Sequence, residues 1–99
     1  MEEIYIFGAG GFAVEVAYLI GETGQYKIAA FIDRNAADSI YIEDSEIPVI
    51  SEDDFSGLDG DSKRKATIAI ANNIVVKKIA DRFQSQCEFP NIIHPSFKT

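Results

Sequence analysis

The chain has 99 residues, 46% of them apolar, and sixteen acids against nine bases give it a formal charge of −7. That length fits one domain with a single core, and the acidic balance repels nucleic acid and anionic membranes at long range, so neither is an expected partner. No apolar run approaches the ~20 residues needed to cross a bilayer and Met1-Glu2-Glu3 lacks the basic start of a signal peptide, so the expected compartment is the cytoplasm.

The first element is an apolar run, Ile4-Tyr5-Ile6-Phe7, that meets glycines at positions 8, 10 and 11. After them Ala13, Val16, Ala17 and Ile20 recur at the i, i+3, i+4, i+7 spacing of a helix. The pattern predicts strand, tight turn and helix, the helix running from Gly11 to Glu22 with Gly21 and Gly24 as stop signals. The spacing Gly8-x-Gly10-x-x-Ala13 fits the phosphate-binding fingerprint, whose last position accepts Gly or Ala. Glycine there removes the side chains that would block a diphosphate. The unpaired N–H groups of the helix start then face the ligand, with roughly half a positive charge from the helix dipole. The plainer alternative is a glycine turn that only lets helix pack on strand.

Lys27-Ile28-Ala29-Ala30-Phe31-Ile32-Asp33 is the second expected strand, parallel to the first in a right-handed βαβ unit. Asp33 falls at its carboxyl end, twenty residues after Ala13, where dinucleotide folds accept hydrogen bonds from ribose hydroxyls. An aspartate that merely starts a turn before Asn35 is the competing reading. Arg34 has three open roles: reaching a phosphate, pairing with Asp33, or pointing into water.

The stretch from Asp38 through Asp61 holds nine acids and no base, which reads as a solvated face. Within it Ile47-Pro48-Val49-Ile50 is a short strand whose proline predicts a sheet edge. Ser51 and Asp54 form a capping box for a short helix with Phe55 and Leu58 inward. Lys63-Arg64-Lys65 reads as a solvated loop. Ala66-Thr67-Ile68-Ala69-Ile70-Ala71 is the next buried strand, and Asn72 or Asn73 caps a helix carrying Val76, Ile79, Ala80 and Phe83 inward, with Lys77 and Lys78 outward. In a functional reading Ala71 to Ile74, Asn72 included, form the second wall of a crevice at the carboxyl ends of the strands. Glu88 to Ile93 supplies a last strand. The expected fold is a small Rossmann-like three-layer α/β/α domain with a mostly parallel sheet of four to five strands.

The chemical inventory is thin. One cysteine, Cys87, excludes an internal disulfide, and no His/Cys/carboxylate spacing indicates a metal. His94 stands alone before a proline, no nucleophile motif accompanies it, and the glycine loop is not a Walker A motif.

Taken in order, Ile4-Tyr5-Ile6-Phe7-Gly8-Ala9-Gly10-Gly11, Phe31-Ile32-Asp33, Ile47-Pro48-Val49-Ile50, Ala69-Ile70-Ala71-Asn72-Asn73 with Lys77-Lys78-Ile79, and Ile92-Ile93-His94-Pro95-Ser96 cover nearly the whole chain. The set resembles the N-terminal domain of the bacterial acetyltransferases that act on sialic acid or on UDP-linked amino sugars such as the bacillosamine precursor. The resemblance implies a domain that holds the UDP-sugar. It implies too that a left-handed β-helix follows, which binds acetyl-CoA, carries the catalytic histidine and forms trimers. The chain is then expected to be a non-catalytic fragment, 1–99, of a two-domain enzyme. Carried over by position, substrate contacts fall on Gly10, Gly11, Phe12, Asp33, Arg34, Ala71 and Ile74, and none of these is the base. Phe12 replaces a frequent histidine, Arg34 a common acid and Ala71 a usual glycine.

Two other functions fit the same motifs. The glycine fingerprint with an acid about twenty residues on also describes the first half of an NAD(P)-dependent oxidoreductase, with Arg34 favouring the phosphorylated cofactor. A regulatory module that senses a nucleotide or CoA is the third.

Overall fold

The computed structural model describes residues 2–58 and 63–90. Its elements are β1 (Glu2–Phe7), α1 (Gly11–Thr23), β2 (Tyr26–Asp33), β3 (Ala37–Ile42), β4 (Ser45–Ser51), α2 (Glu52–Ser56), β5 (Arg64–Ile68), α3 (Asn73–Phe83) and β6 (Cys87–Glu88). The strands form one sheet in the order β3-β4-β2-β1-β5-β6, parallel except where β3 runs against β4. This is the expected Rossmann-like α/β domain, with six strands among the described residues in place of four to five.

The layers follow from how β1 and β2 divide their side chains. Ile4, Ile6 and Phe31 pack with Ala13, Val16, Ala17 and Ile20 of α1 on one face. Phe7 and Ile32 pack with Phe55 of α2 and with Ile79 and Phe83 of α3 on the other. A central strand buried on both faces must be apolar at successive positions, and β1 is: Ile6 and Phe7 have no exposed surface. On the second face the Phe7 ring lies 5.5 Å from Phe55 and 4.9 Å from Phe83 between centroids. Burying each such ring stabilises the domain by roughly 1.5–3 kcal/mol. Among the described residues no polar or charged side chain is buried.

α1 matches its expected span to within a residue, and Gly24, in the left-handed region at φ +68°, ends it. Ser51 caps α2 by accepting from the Asp54 N–H at 3.0 Å, and Phe55 is buried as expected. Leu58 is not: it lies past the end of the helix and is 41% exposed.

Three expectations are corrected in the middle of the chain. The acidic stretch contains strand β3, joined to β4 by a two-residue turn at Glu43-Asp44. Pro48 therefore sits in a strand with neighbours on both sides. It is tolerated because the ladder to β2 begins only at Val49, and because the pairing with β3 shifts register between Ala37 and Ile40, opposite the proline. Arg64 and Lys65, expected in a loop, open β5. Lys65 there joins Glu2 and Glu88 at 3.5 and 3.3 Å, and the hydrogen bond to Glu88 holds its ammonium above the usual lysine range. The last strand is expected from Glu88; β6 covers Cys87–Glu88, and its continuation, with His94, lies outside the described residues.

Candidate functional site

The order of the sheet locates the site. From β1 the chain leaves through α1 toward β2 on one side, and from β5 it leaves through α3 toward β6 on the other. Connections that diverge from adjacent strands open a crevice outside their carboxyl ends, the switch point of an open α/β sheet. A crevice of about 590 Å³ lies there, between the glycine turn, the end of β2 and the segment Ala69 to Ala71.

The three fingerprint positions do different work. Gly8 lies at φ +119°, where its N–H donates to the Ile32 carbonyl at 2.7 Å. A Cβ on it would stand 2.7 Å from the Ala69 carbonyl oxygen, so this glycine lets the turn press against the neighbouring chain. Gly10 is an extended N-cap at φ −86°, and a Cβ on Gly10 or Gly11 would meet nothing within 4 Å. Among the described residues nothing occupies the space that a side chain on either would enter first. Ala13, in the first turn of α1, is fully buried and closes the helix against the sheet.

The two helix starts at this edge differ in their hydrogen bonding. Asn72 caps α3, its Oδ1 accepting from the Ile74 and Val75 N–H groups at 2.9 and 3.3 Å. Gly10 brings no side chain to α1, whose first internal bond runs from the Val14 N–H to the Gly10 carbonyl at 3.1 Å. The amides of Gly11, Phe12 and Ala13 therefore have no acceptor within the helix; Gly11 and Phe12 are exposed and line the crevice, where the positive end of the helix dipole adds to them, while Ala13 is buried behind them. An uncapped helix start of this kind can hold an anion by backbone groups alone.

Asp33 fulfils the turn reading with one oxygen: its Oδ1 accepts from the Arg34 N–H at 2.8 Å. Its other oxygen has no partner among the described residues, and the residue lines the crevice. Arg34 lines it too and makes no ion pair with Asp33. Of the nine residues singled out from sequence, the crevice gathers Gly8, Gly10, Gly11, Phe12, Asp33, Arg34 and Ala71. Asn72 and Ile74 stand off its lining, Asn72 engaged as a cap and Ile74 68% exposed. Sequence reasoning missed the apolar wall of Ile32, Val75 and Ile79, and it missed Glu52. Val75 and Ile79 carried the helix period that hints at an inward face. Glu52 had no signal, since its setting depends on Arg82, thirty residues away.

No group of three or more metal-ligating side chains occurs among the described residues, and no helix among them is long and apolar enough to cross a membrane.

Fold and crevice together define the class: a small Rossmann-like domain with an uncapped helix start at the switch point of its sheet. The chain belongs to the PglD N-terminal domain family, whose model matches residues 3–83. It is similar in structure to the acetyltransferase domain of PglB from Neisseria gonorrhoeae FA1090, with a TM-score of 0.77 and 26% identity. That match covers 96% of this chain and 45% of the other, so the chain spans less than half of the length of its relative. No curated protein matches it. The resemblance drawn from the ordered motifs is thereby borne out at the level of the family.

Proposed function

We propose that the domain binds the diphosphate of a nucleotide sugar, of the UDP-sugar class, and serves as the substrate-holding part of a sugar acetyltransferase. The observation that carries this reading is the contrast between the two helix starts: α3 is closed by Asn72, while α1 has no side-chain cap and begins with exposed Gly10, Gly11 and Phe12, the two glycines having room for a Cβ. A diphosphate suits that seat, Asp33 has an oxygen to offer ribose hydroxyls, and Arg34 supplies a cation on the same lining. The wall of Ile32, Val75 and Ile79 offers apolar contact to a planar base.

The domain contributes binding and orientation. The acetyl group comes from acetyl-CoA held elsewhere in a longer protein, and fixing the sugar by its diphosphate converts an encounter into a positioned reaction. Catalysis is not assigned to any crevice residue.

Calorimetric titration of UDP and a UDP-N-acetyl sugar into the domain tests the reading, with NAD(H) and NADP(H) compared by thermal shift, since the true ligand raises the midpoint by linkage. UDP binding that Gly10→Val weakens by roughly tenfold or more is the expected result, a branched side chain at the seat costing at least ~1.4 kcal/mol. Preference for a nicotinamide cofactor, or UDP affinity indifferent to both Gly10→Val and Asp33→Ala, overturns it.

A further inference from the structure

Glu52 is the one acidic residue of the described crevice lining that the phosphate fingerprint does not call for. It opens α2 directly after β4, next to the Asp33–Ser51 pairing, and lines the same crevice as Gly10 and Arg34. A bare carboxylate there opposes any anion at the α1 seat, in a chain that already carries −7. In the fold this carboxylate is paired with Arg82. From the last turn of α3 its Nη1 donates to Glu52 Oε1 at 2.6 Å and its Nη2 to Asp53 Oδ1 at 3.4 Å.

The guanidinium is held in place from a second direction. It lies over the Phe83 ring, 4.8 Å from the centroid, and that ring has no exposed surface. A planar cation stacked on a fixed ring loses little freedom in gripping a carboxylate, so the pair is preorganised. The Glu52 side chain is 22% exposed and its partner 48%, a setting in which an ion pair adds little to stability but still alters the local field.

We infer that Arg82 is a positioning residue for the anionic ligand: by pairing with Glu52 it removes a repulsive charge from the crevice without touching the ligand itself. The inference rests on the nucleotide-diphosphate reading above.

The test titrates UDP and inorganic pyrophosphate, at low and high salt, into wild type, Arg82→Met, Arg82→Gln, Arg82→Lys and the double variant Glu52→Gln/Arg82→Met. Arg82→Met and Arg82→Gln weaken both ligands by roughly three- to tenfold at low salt, as an uncompensated charge in a partly shielded site predicts. The gap narrows at high salt through screening. Arg82→Lys restores affinity, and the double variant returns to within roughly twofold of wild type because the repulsive charge is gone too. Arg82→Gln keeps a hydrogen-bond donor for Glu52 and carries the test if Arg82→Met does not fold.

Unchanged affinity in the neutral variants, or a double variant as weak as Arg82→Met, overturns the inference alone; the second result assigns the loss to displaced helices. A wild type that binds neither UDP nor pyrophosphate overturns the proposed function and the inference with it.

Discussion

Gly8 and Ala69 touch across the two strands that bound the crevice, so closely that a Cβ on Gly8 would lie 2.7 Å from the Ala69 carbonyl oxygen and 3.2 Å from Ile70 Cγ1. Two residues on, Gly10 faces open space in a backbone conformation any residue adopts. One fingerprint glycine thus serves packing and the other serves access. Gly8→Ala is expected to destabilise the domain by about 3 kcal/mol, combining the positive φ with a clash against backbone that cannot swing away. Gly10→Ala stays within about 1 kcal/mol of wild type, the modest cost of a poorer N-cap, yet weakens the binding of UDP. Urea denaturation and titration of the two variants side by side separate the roles; equal stabilities would refute the division.

The cap on α3 yields a second discrimination. With its Oδ1 engaged by the Ile74 and Val75 amides, Asn72 acts on the helix. Asn72→Ala is expected to cost about 1 kcal/mol, whereas Asn72→Gly costs only a few tenths, since glycine is itself an acceptable N-cap. UDP affinity in Asn72→Gly stays at the wild-type value. A marked loss of affinity in that nearly isostable variant would instead mean that the side chain serves the ligand.

The order in which the fold was legible reflects how local its causes are. α1 announces itself because four buried residues keep the helix period and glycines bracket them, all within Gly8 to Gly24. β3 does not, because Ala37-Asp38-Ser39-Ile40-Tyr41-Ile42 buries only Ile42, and its turn lacks the Asn-Gly or Gly-Gly dipeptide that marks hairpins. Pro48 misled for a related reason: the rule against proline inside a sheet concerns the ladder hydrogen bond, and here the ladder starts one residue later. In the crevice, Gly10 and Asp33 were readable from spacing along one βαβ unit, whereas spacing left three roles open for Arg34. Glu52 was not, since only the packing of α2 beside α3 joins it to Arg82.

The unreadable hairpin carries its own test. Glu43 occupies the left-handed region at φ +55°, a conformation that costs a residue with a Cβ roughly 1–2 kcal/mol. Glu43→Gly relieves that strain while giving back part of the gain as unfolded-state entropy, and Glu43→Asn relieves part of it without the entropy penalty. Both variants are expected to raise the melting temperature, corresponding to about 0.5–1 kcal/mol of added stability. A fall in melting temperature for both would show that the turn does not adopt this conformation in solution.

Cys87 links the core to alkaline pH. Its residue is 3% exposed, and burial pushes the thiol from its ordinary 9.0 up to about 11 against a smaller downward pull from Arg64. The folded state therefore keeps this proton after the unfolded state has begun to lose it. The stability tied to the thiol is fully present below pH 9 and drains away as pH rises from about 9 to 11, to a limit of about 3 kcal/mol for a shift of this size. The measurement is the difference between wild type and Cys87→Ala in urea unfolding at a series of pH values, which isolates the thiol. Cys87→Ala is expected to lose less stability across that window than wild type. In parallel, a thiol-specific disulfide reagent at pH 8 should label native protein slowly and urea-unfolded protein quickly, because only the exposed thiolate reacts. Parallel stability profiles together with rapid native labelling would place the thiol in water and remove this account of the core.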